Sequence, residues 1–151
     1  MARVQAGDKA PDFSLPSNTS ETIRLSNFLG KKNVVIFFYP IDESPVCSRE
    51  AEAFRDKYEE FKDLDAEVIG ISSQSVDSHK SFAAHHNLPF ILASDIDNKV
   101  RKLYGVSSTL GIIPGRVTYV IDKEGVIKFV FTSQLHPAKH ADKALRALKA
   151  K

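Results

Sequence analysis

Runs of consecutive hydrophobic residues mark the strands that the sequence predicts. Residues 34–39 are apolar at every position and rich in β-branched and aromatic side chains, which is typical of a strand covered on both faces of a sheet. Pro40 ends this run. Shorter runs predict further strands at residues 67–72, 90–93, 117–121 and 126–131. The last two are separated by the turn-rich residues 122–125 and are expected to pair as an antiparallel hairpin.

Amphipathic spacing predicts the helices between these strands. Ser44 offers an N-cap side chain, and Pro45 suits the first helical position, where its missing N–H costs nothing. Apolar residues then recur every three or four positions with charged residues between them, as in a helix with one buried face: Ala51, Phe54, Tyr58, Phe61 and Leu64. Further helices are expected at residues 76–86, 98–104 and 139–150.

The order of these elements predicts an α/β fold. Strands and helices alternate through the first part of the chain, and a hairpin and a closing helix follow. Parallel βαβ units followed by a hairpin and a helix match a thioredoxin-like three-layer α/β/α sandwich with a mixed central sheet. The chain has 151 residues and no repeat, linker or low-complexity tract, so we expect a single domain over residues 1–151.

Composition and charge narrow the classes of function. The 21 basic and 19 acidic residues give a net charge of +2 without a basic block, so nucleic acid is not expected as a partner. No run approaches the roughly 20 apolar residues that span a bilayer. Residues 1–16 lack a secretory signal pattern. We therefore expect a soluble, cytoplasmic protein that does not bind membranes.

The single cysteine, Cys47, is the main candidate for chemistry. With Ser44 as N-cap it occupies the third helical position, where unpaired backbone N–H groups and the helix dipole favour a thiolate. A helix terminus alone is too weak for this, so a nearby cation is expected. Arg116 is the candidate, because it leads into the strand 117–121, which should neighbour the strand ending at Pro40. The alternatives are an inert buried thiol and a surface arginine.

Several separated segments resemble the peroxiredoxin family, in the order in which the family has them. The segment Pro40-Ile41-Asp42-Glu43-Ser44-Pro45-Val46-Cys47 resembles the signature Pro-x-x-x-(Thr/Ser)-x-x-Cys. The other segments are Gly7-Asp8-Lys9-Ala10-Pro11-Asp12-Phe13, Phe37-Phe38-Tyr39-Pro40, Ser94-Asp95 and Pro114-Gly115-Arg116-Val117-Thr118-Tyr119-Val120-Ile121-Asp122. The likeness is closest to the peroxiredoxin Q, or bacterioferritin-comigratory, subfamily.

This resemblance implies a thiol-dependent peroxidase that reduces hydrogen peroxide and small organic hydroperoxides without a metal, haem or flavin. It implies that Cys47 is the peroxidatic cysteine, oxidised to a sulfenic acid, and that Arg116 is the active-site arginine. It further implies that Ser44 supplies the hydroxyl of the Thr/Ser position and that Pro40 shields the pocket. The amides of Val46 and Cys47 are donors of the type that a bound peroxide requires.

Glu52 is the main departure from the subfamily pattern, which often has a resolving cysteine at this position. A sulfenic acid at Cys47 then has no internal thiol to condense with, so turnover needs an external thiol from thioredoxin, glutaredoxin or glutathione. The sequence leaves open whether Glu52 is natural or an engineered replacement, and the same holds for Val46, where the family usually has glycine. The subfamily also suggests a monomer, and a plastid as the alternative to the cytoplasm.

The histidines are not expected to bind metal. His136 and His140 stand four positions apart, and His79, His85 and His86 share the predicted helix 76–86. No carboxylate or cysteine is expected to complete either set, so solvated or capping histidines are the simpler interpretation.

Two other functions are alternatives to a peroxidase. The chain could be a catalytically idle thioredoxin-fold module that senses redox state or binds a partner. A disulfide oxidoreductase is disfavoured, because Cys47 is not part of a Cys-x-x-Cys motif. Residues 111–115 lack the Lys-Ser/Thr of a phosphate loop and are expected to form a flexible approach to Arg116.

Overall fold

A computed structural model of the chain describes residues 4–106, 108–109, 113–114, 116–133 and 136–150. Its strands are β1 (Ser14–Pro16), β2 (Thr22–Arg24), β3 (Asn33–Phe38), β4 (Ala66–Ser72), β5 (Ile91–Ser94), β6 (Ser108–Thr109), β7 (Ile113–Pro114), β8 (Val117–Ile121) and β9 (Ile127–Thr132). Its α-helices are α1 (Pro45–Asp56), α2 (Tyr58–Asp63), α3 (Val76–His86), α4 (Lys99–Leu103) and α5 (Pro137–Lys149), and a 3₁₀ helix covers Leu25–Phe28. Most of the predicted segment 111–115 lies outside the described residues.

A mixed five-stranded sheet forms the centre of the fold, with the strand order β5-β4-β3-β8-β9. β4 runs parallel to β3 and β5 runs parallel to β4, whereas β8 is antiparallel to both β3 and β9. The predicted central strand β3 and the predicted hairpin of β8 and β9 are therefore confirmed. Val117 lies opposite Phe38, which places the residues after β3 and before β8 at the same end of the sheet.

The two faces of β3 belong to two different cores. Val35 and Phe37 pack with apolar residues of α1, α2, α3 and α5, whereas Ile36 and Phe38 pack with α4 and with the N-terminal segment that carries β1 and β2. All four of these side chains are buried, as the continuous apolar run predicts. The layers match the predicted thioredoxin-like α/β/α sandwich. The hairpin of β1 and β2 was not predicted, because three-residue strands are too short to produce a periodic pattern.

One continuous helix was predicted through Ala51 to Leu64, and this is wrong, because the structure has two helices there. α1 ends at Asp56 and α2 begins at Tyr58, and the intervening Lys57 has a non-helical backbone with φ −106° and ψ 6°. The break lets Tyr58 donate a hydrogen bond to Glu67 of β4 over 3.0 Å, which ties α2 to the sheet. The apolar spacing continues across the break, so the pattern alone could not reveal it.

No helix in the part of the chain that the structure describes is long and apolar enough to cross a membrane.

Candidate active site

The first turn of α1 holds Cys47 in the predicted position. Ser44 is the N-cap, with an extended backbone, and its Oγ accepts a hydrogen bond from the Cys47 amide over 3.2 Å. Pro45 occupies the start of the helix. The Cys47 amide, one of the two amides expected to face a bound peroxide, therefore also holds the Ser44 cap. The Val46 amide remains as a first-turn donor that has no acceptor within the helix.

Arg116 lies beside Cys47, as the sheet order predicted. Its Nη2 donates a hydrogen bond to the Cys47 Sγ over 3.3 Å, and Cys47 and Arg116 are only 1% and 3% exposed. The pairing of β8 with β3 produces this contact, since Arg116 immediately precedes β8 and α1 follows the end of β3. The alternative interpretation of Arg116 as a surface residue is therefore wrong. A buried guanidinium within hydrogen-bond distance stabilises the anionic form of a thiol.

Glu50 is a third member of this group, which the sequence analysis missed. It is fully buried on α1, and its Oε1 accepts a hydrogen bond from Arg116 Nη1 over 2.5 Å. One guanidinium thus contacts both Cys47 and Glu50. The signal that could have revealed Glu50 is its spacing, because residues three positions apart share a face of a helix.

Glu50 and His140 form a buried pair behind the arginine. Burial raises the pKa of Glu50 to about 8, although the charge of Arg116 opposes this rise. Burial also lowers the pKa of His140 to about 4, so this ring is neutral at pH 7. Its Nε2 donates to the Ser133 carbonyl over 2.8 Å, which leaves Nδ1 as an acceptor.

The surroundings of Glu50 Oε2 support a protonated Glu50. Thr118 Oγ1 lies 2.7 Å from His140 Nδ1, and Glu50 Oε2 lies 3.4 Å from the same nitrogen. The Thr118 hydroxyl donates to Nδ1 and uses its single lone pair, and Glu50 Oε2 has no hydrogen-bond partner among the described residues, which is unfavourable for an ionised carboxylate. A neutral Glu50 leaves the positive charge of Arg116 available to Cys47.

The loop between β3 and α1 is fixed by Asp42. The Asp42 carboxylate is 8% exposed and accepts hydrogen bonds from Tyr39 Oη over 2.5 Å and Ser78 Oγ over 2.7 Å. His79 Nδ1 lies 2.8 Å from the same carboxylate. Burial alone would raise the pKa of Asp42, but these three partners outweigh it and lower the pKa. Asp42 thereby ties the loop to the first turns of α3.

The remaining predicted site residues border the same loop. Pro40 is half-buried at its start, and the Val46 side chain is 38% exposed on the first turn of α1. Glu52 lies on α1 five residues after Cys47, and its Oε2 is 3.2 Å from His86 Nδ1. Cys47 is the only cysteine of the sequence, so α1 carries no second thiol.

The expectation that no carboxylate lies beside the histidines of α3 is wrong. Glu43 contacts both His85 and His86, whereas His79 faces Asp42 instead. The pair near α5 does not converge, because His140 is buried against β8 and His136 is exposed at the N-cap of α5.

A family model and the relatives named below agree on the family of this chain. Residues 6–130 match the model of the AhpC/TSA family. The chain is 50% identical over 151 residues to a protein of Sedum lineare named peroxiredoxin Q, chloroplastic, covering 99% of this chain and 81% of that protein. It is 48% identical to the protein of the same name from Populus jackii, covering 99% of this chain and 70% of that protein.

Solved structures agree with these relatives. The peroxidoxin BcpB of Mycobacterium tuberculosis superposes with a TM-score of 0.90 at 37% identity, over 97% of each chain. The structure of Xylella fastidiosa PrxQ also gives a TM-score of 0.90, at 28% identity over 99% of this chain and 98% of that one. The chain therefore belongs to the AhpC/TSA family, and within it to the peroxiredoxins of the Q type.

Proposed function

We propose that Cys47 is the nucleophile of this thiol-dependent peroxidase, and that hydrogen peroxide and small organic hydroperoxides are its substrates. The observation that carries the proposal is the 3.3 Å contact between the Cys47 Sγ and the buried guanidinium of Arg116 at the start of α1. The thiolate attacks the terminal oxygen of the peroxide, and the O–O bond breaks. Cys47 becomes a sulfenic acid, and the leaving oxygen takes a proton and departs as water or an alcohol.

Arg116 has two functions in this scheme. It stabilises the thiolate before attack, and it stabilises the negative charge that moves to the leaving oxygen during attack. The Val46 amide is a second donor for the peroxide oxygens, whereas Ser44 orients the first turn by accepting from the Cys47 amide. Pro40, which has no N–H, limits the access of water from the side of the loop.

Re-reduction requires an external thiol, because Glu52 stands where a resolving cysteine would be. One thiol condenses with the sulfenic acid to give a mixed disulfide and water, and a second thiol releases Cys47. Thioredoxin, glutaredoxin and glutathione are the candidate reductants. Since Cys47 is 1% exposed, the loop of residues 40–44 and the first turn of α1 must open before a protein thiol reaches the sulfur. A small thiol such as glutathione needs a smaller opening.

The protein acts in this scheme as a monomer with one catalytic domain over residues 1–151. The cytoplasm and the plastid are the two candidate compartments. The chloroplastic names of the plant relatives support the plastid. Fractionation of cells from the source organism with an antibody to the protein distinguishes these compartments.

The deciding experiment uses Cys47→Ser and measures peroxide consumption with each reductant in turn. We expect complete loss of thiol-dependent consumption, and retention of the wild-type rate would exclude Cys47 as nucleophile. The alternative of a catalytically idle module is tested by intact mass after one equivalent of peroxide. Rapid addition of one oxygen to the wild type, absent in Cys47→Ser, supports the enzyme.

A further inference from the structure

Glu43 brings two adjacent histidines together at the surface next to the active-site loop. Its Oε1 lies 2.9 Å from His85 Nδ1 and 3.0 Å from His86 Nε2. Glu43 has a left-handed backbone with φ 67°, which is uncommon for a residue other than glycine. Such backbone conformations concentrate at functional sites. We call Glu43, His85 and His86 the Glu43 cluster.

His86 lies between two carboxylates, one at each ring nitrogen. Its Nδ1 is 3.2 Å from Glu52 Oε2, and its Nε2 is 3.0 Å from Glu43 Oε1. A neutral imidazole donates through only one nitrogen, so it cannot satisfy both carboxylates. Either both nitrogens carry protons, or the second nitrogen binds a cation in place of a proton. The second arrangement, with a carboxylate holding the N–H of a ligating histidine, recurs in metal sites of proteins.

We propose that the Glu43 cluster binds a divalent transition-metal ion, and that Zn²⁺ suits its ligands best. The three ligand atoms all lie within 4.8 Å of one another. Metal–ligand bonds of about 2.0–2.2 Å in a tetrahedron place neighbouring ligand atoms about 3.3–3.6 Å apart, so only small movements are needed. Two imidazoles and one carboxylate are ligands that Zn²⁺ accepts, and Glu52 orients His86 from the far side of its ring.

Charge and exposure favour a cation at this position. His85 and His86 are the last residues of α3, where the helix dipole favours positive charge. Two carboxylates, Glu43 and Glu52, face the imidazoles, and Arg55 lies 3.8 Å from Glu52. The His85 side chain is 67% exposed, so an ion can enter from solvent and keep a water ligand.

The location gives the proposed ion a structural consequence. Glu43 immediately precedes the N-cap Ser44, and Ser48 Oγ lies 3.4 Å from His86 Nε2. A bound ion would join the loop that leads to Cys47 to the end of α3. Because a ligand that binds only the folded state stabilises it, Zn²⁺ should raise the melting temperature.

The test titrates untagged protein with Zn²⁺ in a Cys47→Ser background, which removes the thiol as a competing ligand. Calorimetry should show one equivalent of Zn²⁺ bound, and the melting temperature should rise with it. Glu43→Gln and His86→Ala should each weaken binding by at least about tenfold and remove the rise in melting temperature. Glu52→Ala should weaken binding by about 10- to 100-fold, since it frees the His86 ring.

Two control variants locate the ion. Glu60→Gln removes a half-exposed carboxylate of α2, and His136→Ala removes the exposed histidine near α5. Both should bind Zn²⁺ like the parent. The proposal is overturned if the parent binds no tighter than Glu43→Gln, which would mean that the cluster is only an ion-pair network. It is also overturned if His136→Ala alone weakens binding.

Discussion

Arg116 contacts Cys47 and Glu50 at the same time, through its two terminal nitrogens. The Nη2 atom lies 3.3 Å from the Cys47 sulfur, and the Nη1 atom lies 2.5 Å from a carboxyl oxygen of Glu50. The electrostatic stabilisation that Arg116 gives to the Cys47 sulfur therefore depends on whether Glu50 is ionised. An ionised Glu50 would offset the positive charge of Arg116 at the sulfur, whereas a protonated Glu50 leaves that charge uncompensated.

Replacing the guanidinium should slow peroxide reduction strongly. We expect Arg116→Ala to lower the rate constant for Cys47 oxidation by about 10²-fold or more, because the donor for the thiolate and the leaving oxygen is lost. Arg116→Lys should recover part of the rate, since it keeps the charge but not both contacts. Stopped-flow measurement of oxidation under peroxide excess gives the rate constants. Arg24→Ala, at an exposed position of β2, is the matched control and should behave as wild type. A wild-type rate in Arg116→Ala would contradict the role of the arginine.

Glu50→Gln should be active at neutral pH, because glutamine imitates the protonated carboxyl. In the wild type the oxidation rate should fall relative to this variant as pH rises through about 8, where Glu50 ionises and offsets the charge of Arg116.

The Glu50→Gln variant should also differ from the wild type in the pH dependence of its free energy of unfolding. The folded pKa of Glu50 lies above the usual value of 4.5, so the wild type loses stability relative to Glu50→Gln as pH rises from about 4.5 to about 8.

Oxidation rates measured at pH values below and above about 8, and urea unfolding measured from about pH 4.5 to about pH 8, test these two predictions. A glutamine variant as slow as Arg116→Ala at neutral pH would show that the carboxylate form of Glu50 is required. Parallel stability curves for wild type and Glu50→Gln would place the carboxyl in its ionised form instead.

Asp42→Asn should destabilise the fold at neutral pH, since the loop before α1 loses its charged acceptor. Hydrogen bonds to a buried charge suggest a loss of about 1–3 kcal/mol in the free energy of unfolding. The folded pKa of Asp42 lies below its usual value of 3.8. The stabilisation is therefore present above pH 3.8 and is lost as pH falls through the lower, folded value.

Urea unfolding at several pH values measures this difference. The gap between wild type and Asp42→Asn should narrow in acid, and exposed Asp97→Asn should change stability by no more than about 0.5 kcal/mol. A gap that is independent of pH would mean that the carboxylate charge is not what stabilises the loop.

Glu52→Cys should convert the catalytic cycle to one with an internal disulfide. Five residues of helix separate positions 47 and 52 by about 7.5 Å along the axis, so the disulfide forms only if α1 opens locally. We expect mass spectrometry after one equivalent of peroxide to show a disulfide between Cys47 and the introduced thiol. Glu60→Cys on α2 is the control and should keep a sulfenic acid at Cys47. A stable sulfenic acid in Glu52→Cys would mean that α1 does not open.

Local sequence signals predicted the central architecture and the positions of Cys47 and Arg116. The continuous apolar run of β3, the Ser44-Pro45 helix start and the hairpin turn are local signals, each produced by side chains within a few positions. Together with the resemblance to peroxiredoxins, they were enough to place Cys47 in the first turn of α1 and Arg116 near it.

Contacts between side chains that are far apart in the sequence depend on the packing of the whole fold. In the sequence, Glu50 is one of several charged residues of the predicted helix. Its pairing with Arg116 depends on β8 lying beside β3. Glu43 and the two histidines at the end of α3 are about forty positions apart, and a left-handed residue in the loop brings them together. Such contacts arise from packing between elements, which no periodic pattern within one element encodes.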